Sequence, residues 1–226
     1  MVIFRLCLLA LTFSSLVSCT STYQNYAYSF EQAFFPDSGV NLTADEIAAQ
    51  KYDVLYVTSG NRPRALVVLA YVEQDDRKWV SNDKAMLVTR NGRVVKTAGF
   101  STDLVYSEAT VADPLQHQAL ELRQGLSWNS LSDWSSGDSS VQTSYRISDV
   151  QAETLEIAGM SLPTRKVTEQ VTFGNGQTAE NVFWLDPSSG QVLKSLQYIA
   201  PFFSPLLIEH VTAAAKLQAL TKQGEA

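Results

Sequence analysis

Ala85-Met86-Leu87-Val88-Thr89-Arg90-Asn91-Gly92-Arg93-Val94-Val95-Lys96-Thr97-Ala98 holds two apolar, β-branched runs on either side of Asn91-Gly92. Both turn residues tolerate positive φ, and such a pair closes a tight hairpin whose twist suits the strands it joins. The stretch therefore reads as two antiparallel strands, Ala85 to Arg90 and Arg93 to Ala98. Upstream, Val54 to Val57 and Ala65 to Val72 have the same texture, and Lys78-Trp79-Val80 is a further short strand. A second hairpin series begins near Leu126, with strands expected over Ser144 to Val150, Glu153 to Ile157, Thr164 to Phe173, Ala179 to Leu185 and Gln191 to Ile199. Gly174-Asn175-Gly176-Gln177 and Asp186-Pro187-Ser188-Ser189-Gly190 supply turns. The alternation through Val167, Glu169, Val171 and Phe173 is that of half-buried strands.

Helical signals are few. Ser29 to Phe35 suits a brief helix broken by Pro36-Asp37-Ser38-Gly39. Thr43-Ala44-Asp45-Glu46 is a capping box ahead of a helix ending near Gln50. Asp113-Pro114 leads a loop into a short helix. Pro205 to Gln223 reads as a C-terminal helix opened by Pro205 and closed by Gly224. The expected fold is mainly β: an antiparallel meander forming a curved sheet or incomplete barrel, with short N-terminal helices and a C-terminal helix. The alternative is two β subdomains divided near residue 125.

The first nineteen residues carry a different message. Arg5 precedes an almost wholly apolar run from Leu6 to Val17, too short to span a bilayer permanently and shaped like a secretory signal. It ends in Leu16-Val17-Ser18-Cys19, a lipobox, in which a thiol receives diacylglycerol and a small residue precedes the cut. The chain is thus expected to divide into a signal peptide (1–18), a lipidated tether (19–28) and one β-rich periplasmic domain (29–226). Lipid on Cys19 would hold it firmly, because each buried methylene contributes about 0.8 kcal/mol and two or more chains suffice. Thr20 follows the cysteine where Asp would signal inner-membrane retention, so the anchor is expected in the outer membrane, facing the periplasm. Export removes Cys7, which leaves Cys19 without a disulfide partner.

Seventeen basic against 23 acidic residues give a net charge of −6, and removing Arg5 makes the mature chain more acidic still. With no basic run, nucleic acid and electrostatic docking to anionic lipid are disfavoured. No cofactor motif is present. His117 and His210 are the two histidines and lack companions at metal-ligand spacing. Gly159-Met160-Ser161-Leu162-Pro163 lacks the second glycine of a nucleophile elbow and lies between strands. Asp133 and Asp138 bracket Trp134-Ser135-Ser136-Gly137, a loop open to a glycosidase or calcium reading but lacking calcium-hand spacing. Trp184 is expected in the core. Trp128 and Trp134, beside the Ser-rich loop, are expected nearer the surface, where they are candidates for contact with a glycan or partner. Arg93 and Lys96 are further candidates, although three residues apart on one strand they face opposite sides unless the strand is bulged. Their plainer reading is as solvated or edge-protecting charges.

Trp79-Val80-Ser81-Asn82-Asp83 followed by Ala85 to Phe100 resembles the YjbF/GfcB family of group 4 capsule polysaccharide lipoproteins. The resemblance rests on Trp79, Ser81, Asp83, Thr89, Gly92, Arg93, Lys96, Thr97 and Gly99, and extends to the lipobox and the Trp184-Leu185-Asp186 to Gly190 hairpin. Asp103 departs from the family pattern, which has Asn before the residue equivalent to Leu104. The resemblance implies a role in capsule or exopolysaccharide production or export, beside an outer-membrane β-barrel protein and a periplasmic protein of the same system. It implies no catalytic residues. Two functions are carried forward: a non-enzymatic, lipid-anchored accessory that binds a secretion partner, and a direct polysaccharide-binding or weakly glycan-hydrolysing protein.

Overall fold

The structure, a computed structural model, describes residues 39–224 except residue 83. The expected signal peptide, Cys19, the expected tether and the expected helix over Ser29 to Phe35 lie outside the described residues.

Helix α1 (Ala44–Ala48) opens on the expected capping box: the Thr43 hydroxyl accepts from the Glu46 amide, and the Glu46 carboxylate accepts from the Thr43 amide. Twelve strands follow: β1 (Val54–Ser59), β2 (Ala65–Glu73), β3 (Asp76–Val80), β4 (Met86–Arg90), β5 (Arg93–Ala98), β6 (Leu104–Ala109), β7 (Ser127–Trp134), β8 (Val141–Ile157), β9 (Met160–Phe173), β10 (Thr178–Leu185), β11 (Val192–Gln197) and β12 (Leu206–Glu209). A short helix α2 (Pro114–His117) and a 3₁₀ turn (Ala119–Glu121) separate β6 from β7, and α3 (Val211–Gly224) ends the chain.

All pairings are antiparallel, and the strands form one sheet in the order β5-β4-β3-β2-β1-β12-β11-β10-β9-β8-β7-β6. Strands consecutive in sequence are adjacent in the sheet except β5 and β6, which lie at its two ends, and β12 joins the two halves by pairing with β1 as well as β11. The sheet rolls into a nearly closed barrel, with β5 and β6 facing each other across its seam and no ladder between them among the described residues. The one sheet takes in strands from both sides of residue 125.

Two segment readings change. Ser144 to Val150 and Glu153 to Ile157 are one long strand, β8, which carries a bulge between Ile147 and Asp149. Leu206–Glu209 is a strand and not the first turn of the C-terminal helix. It fills the slot between β1 and β11, pairing Leu206 with Ser59 and with Gln197, and it buries Leu206 and Ile208 completely. Leu206 and Ile208 alternate as a strand requires, and the open backbone edges on both sides outweigh the helical reading that Pro205 encouraged.

β1 shows how the sheet separates two layers. Leu55 and Val57 point into the barrel with Val67, Trp79, Leu87 and Ile208. Val54 and Tyr56 point outward into a second cluster with Ile47 of α1, Leu162, and Val211 and Ala214 of α3. Burial on both faces explains why Val54 to Val57 is apolar without interruption. Thr212 ties α3 to β1, its hydroxyl accepting from the Val54 amide and donating to the Val54 carbonyl. A third cluster, with Leu115 of α2, Trp128, Ile147, Val167 and Phe183, fills the other part of the interior.

Candidate functional site

The β4–β5 hairpin turns at Asn91 and Gly92, both at positive φ (42° and 81°), and tucks its tip against β11. A Cβ on Gly92 would lie 2.5 Å from Val192 Cβ, so the glycine serves close approach as well as the turn. The Gly92 carbonyl accepts from Gln197 Nε2 at 2.7 Å, and Asn91 Nδ2 donates to the Leu115 carbonyl at 2.6 Å. This anchoring aims the next residue, Arg93, into the barrel.

Arg93 is only 8% exposed. Its Nη2 donates to Glu169 Oε2 at 2.7 Å and its Nη1 to Glu169 Oε1 at 3.1 Å, a bidentate pair, while its Nε donates to Asp113 Oδ2. Asp113 also caps α2 by accepting from the Leu115 amide at 2.9 Å, and it accepts from Gln116 Nε2. Asn181 Nδ2 donates to Glu169 Oε1 at 3.0 Å and its Oδ1 accepts from the Tyr198 amide at 2.7 Å. The guanidinium carbon lies 5.0 to 5.3 Å from the ring centres of Phe183, Tyr145 and Trp128. Trp128 and Tyr145 stack at 5.3 Å, 13° from parallel. Burial pulls the Arg93 pKa down, but Asp113 and Glu169 more than compensate and hold it charged. Burial raises the Glu169 pKa, an effect that Arg93 opposes without cancelling. Two carboxylates sharing one buried cation give that direction its physical sense.

The site candidates read from sequence separate accordingly. Trp128 and Trp134 are not at the surface: they are 4% and 5% exposed. The alternation of β7 turns both inward, Trp128 onto Tyr145 and Trp134 against Phe202 and Phe203. Arg93 is neither solvated nor guarding an edge but is neutralised inside. The bulge that would bring Arg93 and Lys96 to one face is present, with Val95 as the extra residue. No basic patch results, because Lys96 is exposed while Arg93 is buried. Trp184, expected in the core, is half-buried and donates from Nε1 to Glu153 Oε1 at 2.8 Å.

Asp133 and Asp138 each bond their own hairpin. Asp133 accepts from the Ser140 amide at 2.7 Å, and Asp138 accepts from the Ser136 hydroxyl at 2.8 Å. Among the described residues no group of three or more His, Cys, Asp or Glu side chains is placed to hold a metal ion. His210 is not a helical surface residue. It lies between β12 and α3, 6% exposed, edge-on to Trp79 at 5.4 Å, with Nε2 lacking a hydrogen-bond partner among the described residues. Burial pushes its pKa down to about 4.

Sequence reasoning missed Asp113, Glu169, Asn181 and Gln197. One signal was available. Glu169 shares its parity with Val167, Val171 and Phe173, and a carboxylate on a buried stripe requires a partner. The remaining three come from distant segments and carry no local mark.

Behind the seam lies a cleft lined by Arg93 and Val95 of β5, Ser107 of β6, Ser130 and Ser132 of β7, and residues across the barrel that include Tyr145 and Tyr198. Its cavity volume is about 20 Å³, room for about one water molecule. The seam itself is spanned by side chains. Leu104 N donates to Thr97 Oγ1 at 2.8 Å, Thr97 Oγ1 donates to Asp103 Oδ1, and Arg90 reaches Glu108 at 3.4 Å. Asp103 also accepts from the Gly99 and Phe100 amides, which uses both carboxylate oxygens.

These features define a class: an antiparallel, barrel-like β protein, one seam short of closure, whose chemistry-bearing side chains face inward. The chain belongs to the YjbF family, whose model, described as "Group 4 capsule polysaccharide lipoprotein gfcB, YjbF", matches residues 27–211. It is 32% identical to the uncharacterized lipoprotein GfcB of Escherichia coli strain K12 over 194 residues, 84% of this chain and 90% of GfcB. To the uncharacterized lipoprotein YjbF of the same strain it is 30% identical over 201 residues, 88% of this chain and 93% of that protein. The crystal structure of the hypothetical lipoprotein YmcC from Escherichia coli K12 matches with a TM-score of 0.69 at 33% identity, covering 75% of this chain and 88% of YmcC. Residues of the motif read from the sequence have structural work here: Trp79 Nε1 donates to Thr89 Oγ1 at 2.9 Å, Gly92 makes the close turn, and Arg93 enters the ion cluster.

Proposed function

We propose that this protein is a lipid-anchored periplasmic accessory for the production or export of a capsule or exopolysaccharide, acting by binding a partner of the secretion machinery. The observation that carries this reading is membership, over residues 27–211, of a family described as capsule polysaccharide lipoproteins. The anchor is Cys19, which places the chain on the periplasmic face of the outer membrane, beside the barrel through which polymer would leave. A non-enzymatic role is supported by the chemistry of the charged residues: Arg93, Asp113 and Glu169 are committed to one another, and Asp133 and Asp138 to their own hairpin.

Deletion of the gene, with polysaccharide measured at the cell surface and in the medium while the locus is expressed, tests the role. The expected outcome is loss of surface polymer, restored by the wild-type gene and not by Cys19→Ser. Unchanged polymer in the deletion strain would overturn it.

A further inference from the structure

We propose that the rim of the barrel carrying the β1–β2 and β11–β12 connections lies against the lipid surface, with Phe202 inserted at the lipid–water boundary. The inference rests on the Cys19 anchor of the reading above and states which face the anchored domain turns to its membrane.

Topology fixes what shares this rim. Because every pairing is antiparallel, the connections β1–β2, β3–β4, β5–β6, β7–β8, β9–β10 and β11–β12 gather at one end of the barrel. The chain enters the described fold at the same end. Val40 N donates to the Arg64 carbonyl at 2.9 Å, and a Cβ on Gly39 would lie 3.5 Å from Arg64 N, just before β2 begins. The β11–β12 connection touches this point of entry. Gly60 N donates to the Pro205 carbonyl at 3.3 Å, and a Cβ on Gly60 would lie 3.1 Å from Ser204 Oγ. Cys19 stands twenty residues before Gly39, and a chain of that length spans at most roughly 70 Å. The lipid anchor thus leads into the fold beside the loop that carries Phe202.

Phe202 is 58% exposed. Its ring stands edge-on to Trp134 at 5.2 Å, and Trp134 is itself buried and packs on Phe203 at 6.3 Å. The exposed ring is therefore held out on a packed aromatic base. A phenyl ring presented in this way suits the boundary between headgroups and acyl chains, where it leaves water at little cost to its neighbours.

Those neighbours select lipid. In the connections at this end, the exposed described residues other than Phe202 are Ser, Asn, Gly and Gln, with Lys84 and Asp138 as the charges. Carrying charge towards hydrocarbon is costly, whereas hydroxyls and amides find hydrogen-bond partners among headgroups. At the opposite end, exposed Tyr52, Tyr71 and Val72 stand among exposed Lys51, Glu73 and Asp75, a setting that suits water. Lys84 and Asp138 offset each other and the chain as a whole is acidic, so the contact is apolar and indifferent to salt.

The test uses the full-length lipidated protein in vesicles of phosphatidylethanolamine and phosphatidylcholine. With the signal removed and Cys19 acylated no free thiol remains, so one added cysteine takes a fluorophore alone. Labels are placed on Asn61→Cys, next to Gly60, and on Val72→Cys at the opposite end. Quenching is read with nitroxide-bearing lipids and with iodide in the water. The label at position 61 is expected to be quenched by the lipid nitroxide and shielded from iodide, at low and high salt, and the label at position 72 to show the reverse. Phe202→Asp, which leaves the buried Trp134 in place, is expected to abolish the lipid quenching at position 61. If it fails to fold, Phe202→Ser reads the same loss. A position 61 open to iodide, lipid quenching at position 72 instead or equally at both, or lipid quenching that survives loss of the ring would each overturn the surface. Shielding of position 61 from both quenchers would put protein over the rim and overturn it as well. The accessory role is tested apart from this. A secretion defect in the deletion strain with a water-open rim removes the surface and keeps the role, whereas lipid quenching with normal secretion keeps the surface and removes the role. A mature chain whose Cys19 carries no lipid by mass spectrometry removes the anchor and the surface together.

Discussion

Arg93 meets Asp113 and Glu169 in the interior, where the energetic consequences of a single substitution are largest. Arg93→Ala strands two buried carboxylates and is expected to cost about 3–5 kcal/mol, the usual penalty for breaking a buried ion pair from one side. Glu169→Gln leaves Arg93 and Asp113 paired one to one and should cost less; urea unfolding of both variants checks the order. His210 gives a pH signature. Its folded pKa, near 4, lies below the ordinary 6.5 because burial disfavours the imidazolium, with Arg77 adding to that effect and Asp53 opposing it. The unfolded chain therefore binds the extra proton first as pH falls. Stability associated with this group is complete above about pH 6.5 and is lost progressively down to about pH 4, by an amount of the order of 3 kcal/mol. In His210→Phe that part of the pH dependence should vanish from unfolding curves recorded across this window.

The β4–β5 hairpin is the element on which the interior depends, because its tip packs on β11 and its second strand delivers Arg93. Gly92→Ala and Gly137→Ala place a Cβ at similar positive φ (81° and 100°), but the first meets Val192 at 2.5 Å and the second meets nothing within 4 Å. Both substitutions carry backbone strain of roughly 1–2 kcal/mol. Gly92→Ala should add an overpacking cost of about 1–3 kcal/mol, seen as a lower melting temperature than that of Gly137→Ala. The capping box of α1 is legible in Thr43 and Glu46 alone, since its bonds span three residues. The strand β12 was not, because Leu206–Glu209 satisfies both a helical and an extended reading until the gap between β1 and β11 exists.

Across the whole molecule, the seam sets the distribution of stability. Central strands such as β9 and β10 have ladder partners on both sides, while β5 and β6 have one ladder each. Hydrogen exchange followed by mass spectrometry should show β5 and β6 opening at lower free energy than β9 and β10, because seam-facing amides lack the second ladder. Equal protection across all four strands would mean that the seam is closed in solution. The sequence by itself determined the hairpins, the antiparallel meander and the capping box, because each is written in contacts spanning a few neighbouring residues. Only the tertiary structure decided that Trp128 and Trp134 face inward, that Leu206–Glu209 is a strand, and that Arg93 meets Asp113 and Glu169. Those outcomes depend on which way the sheet curls and on residues as far apart in the chain as Tyr56 and Glu209, a relation that no local pattern encodes.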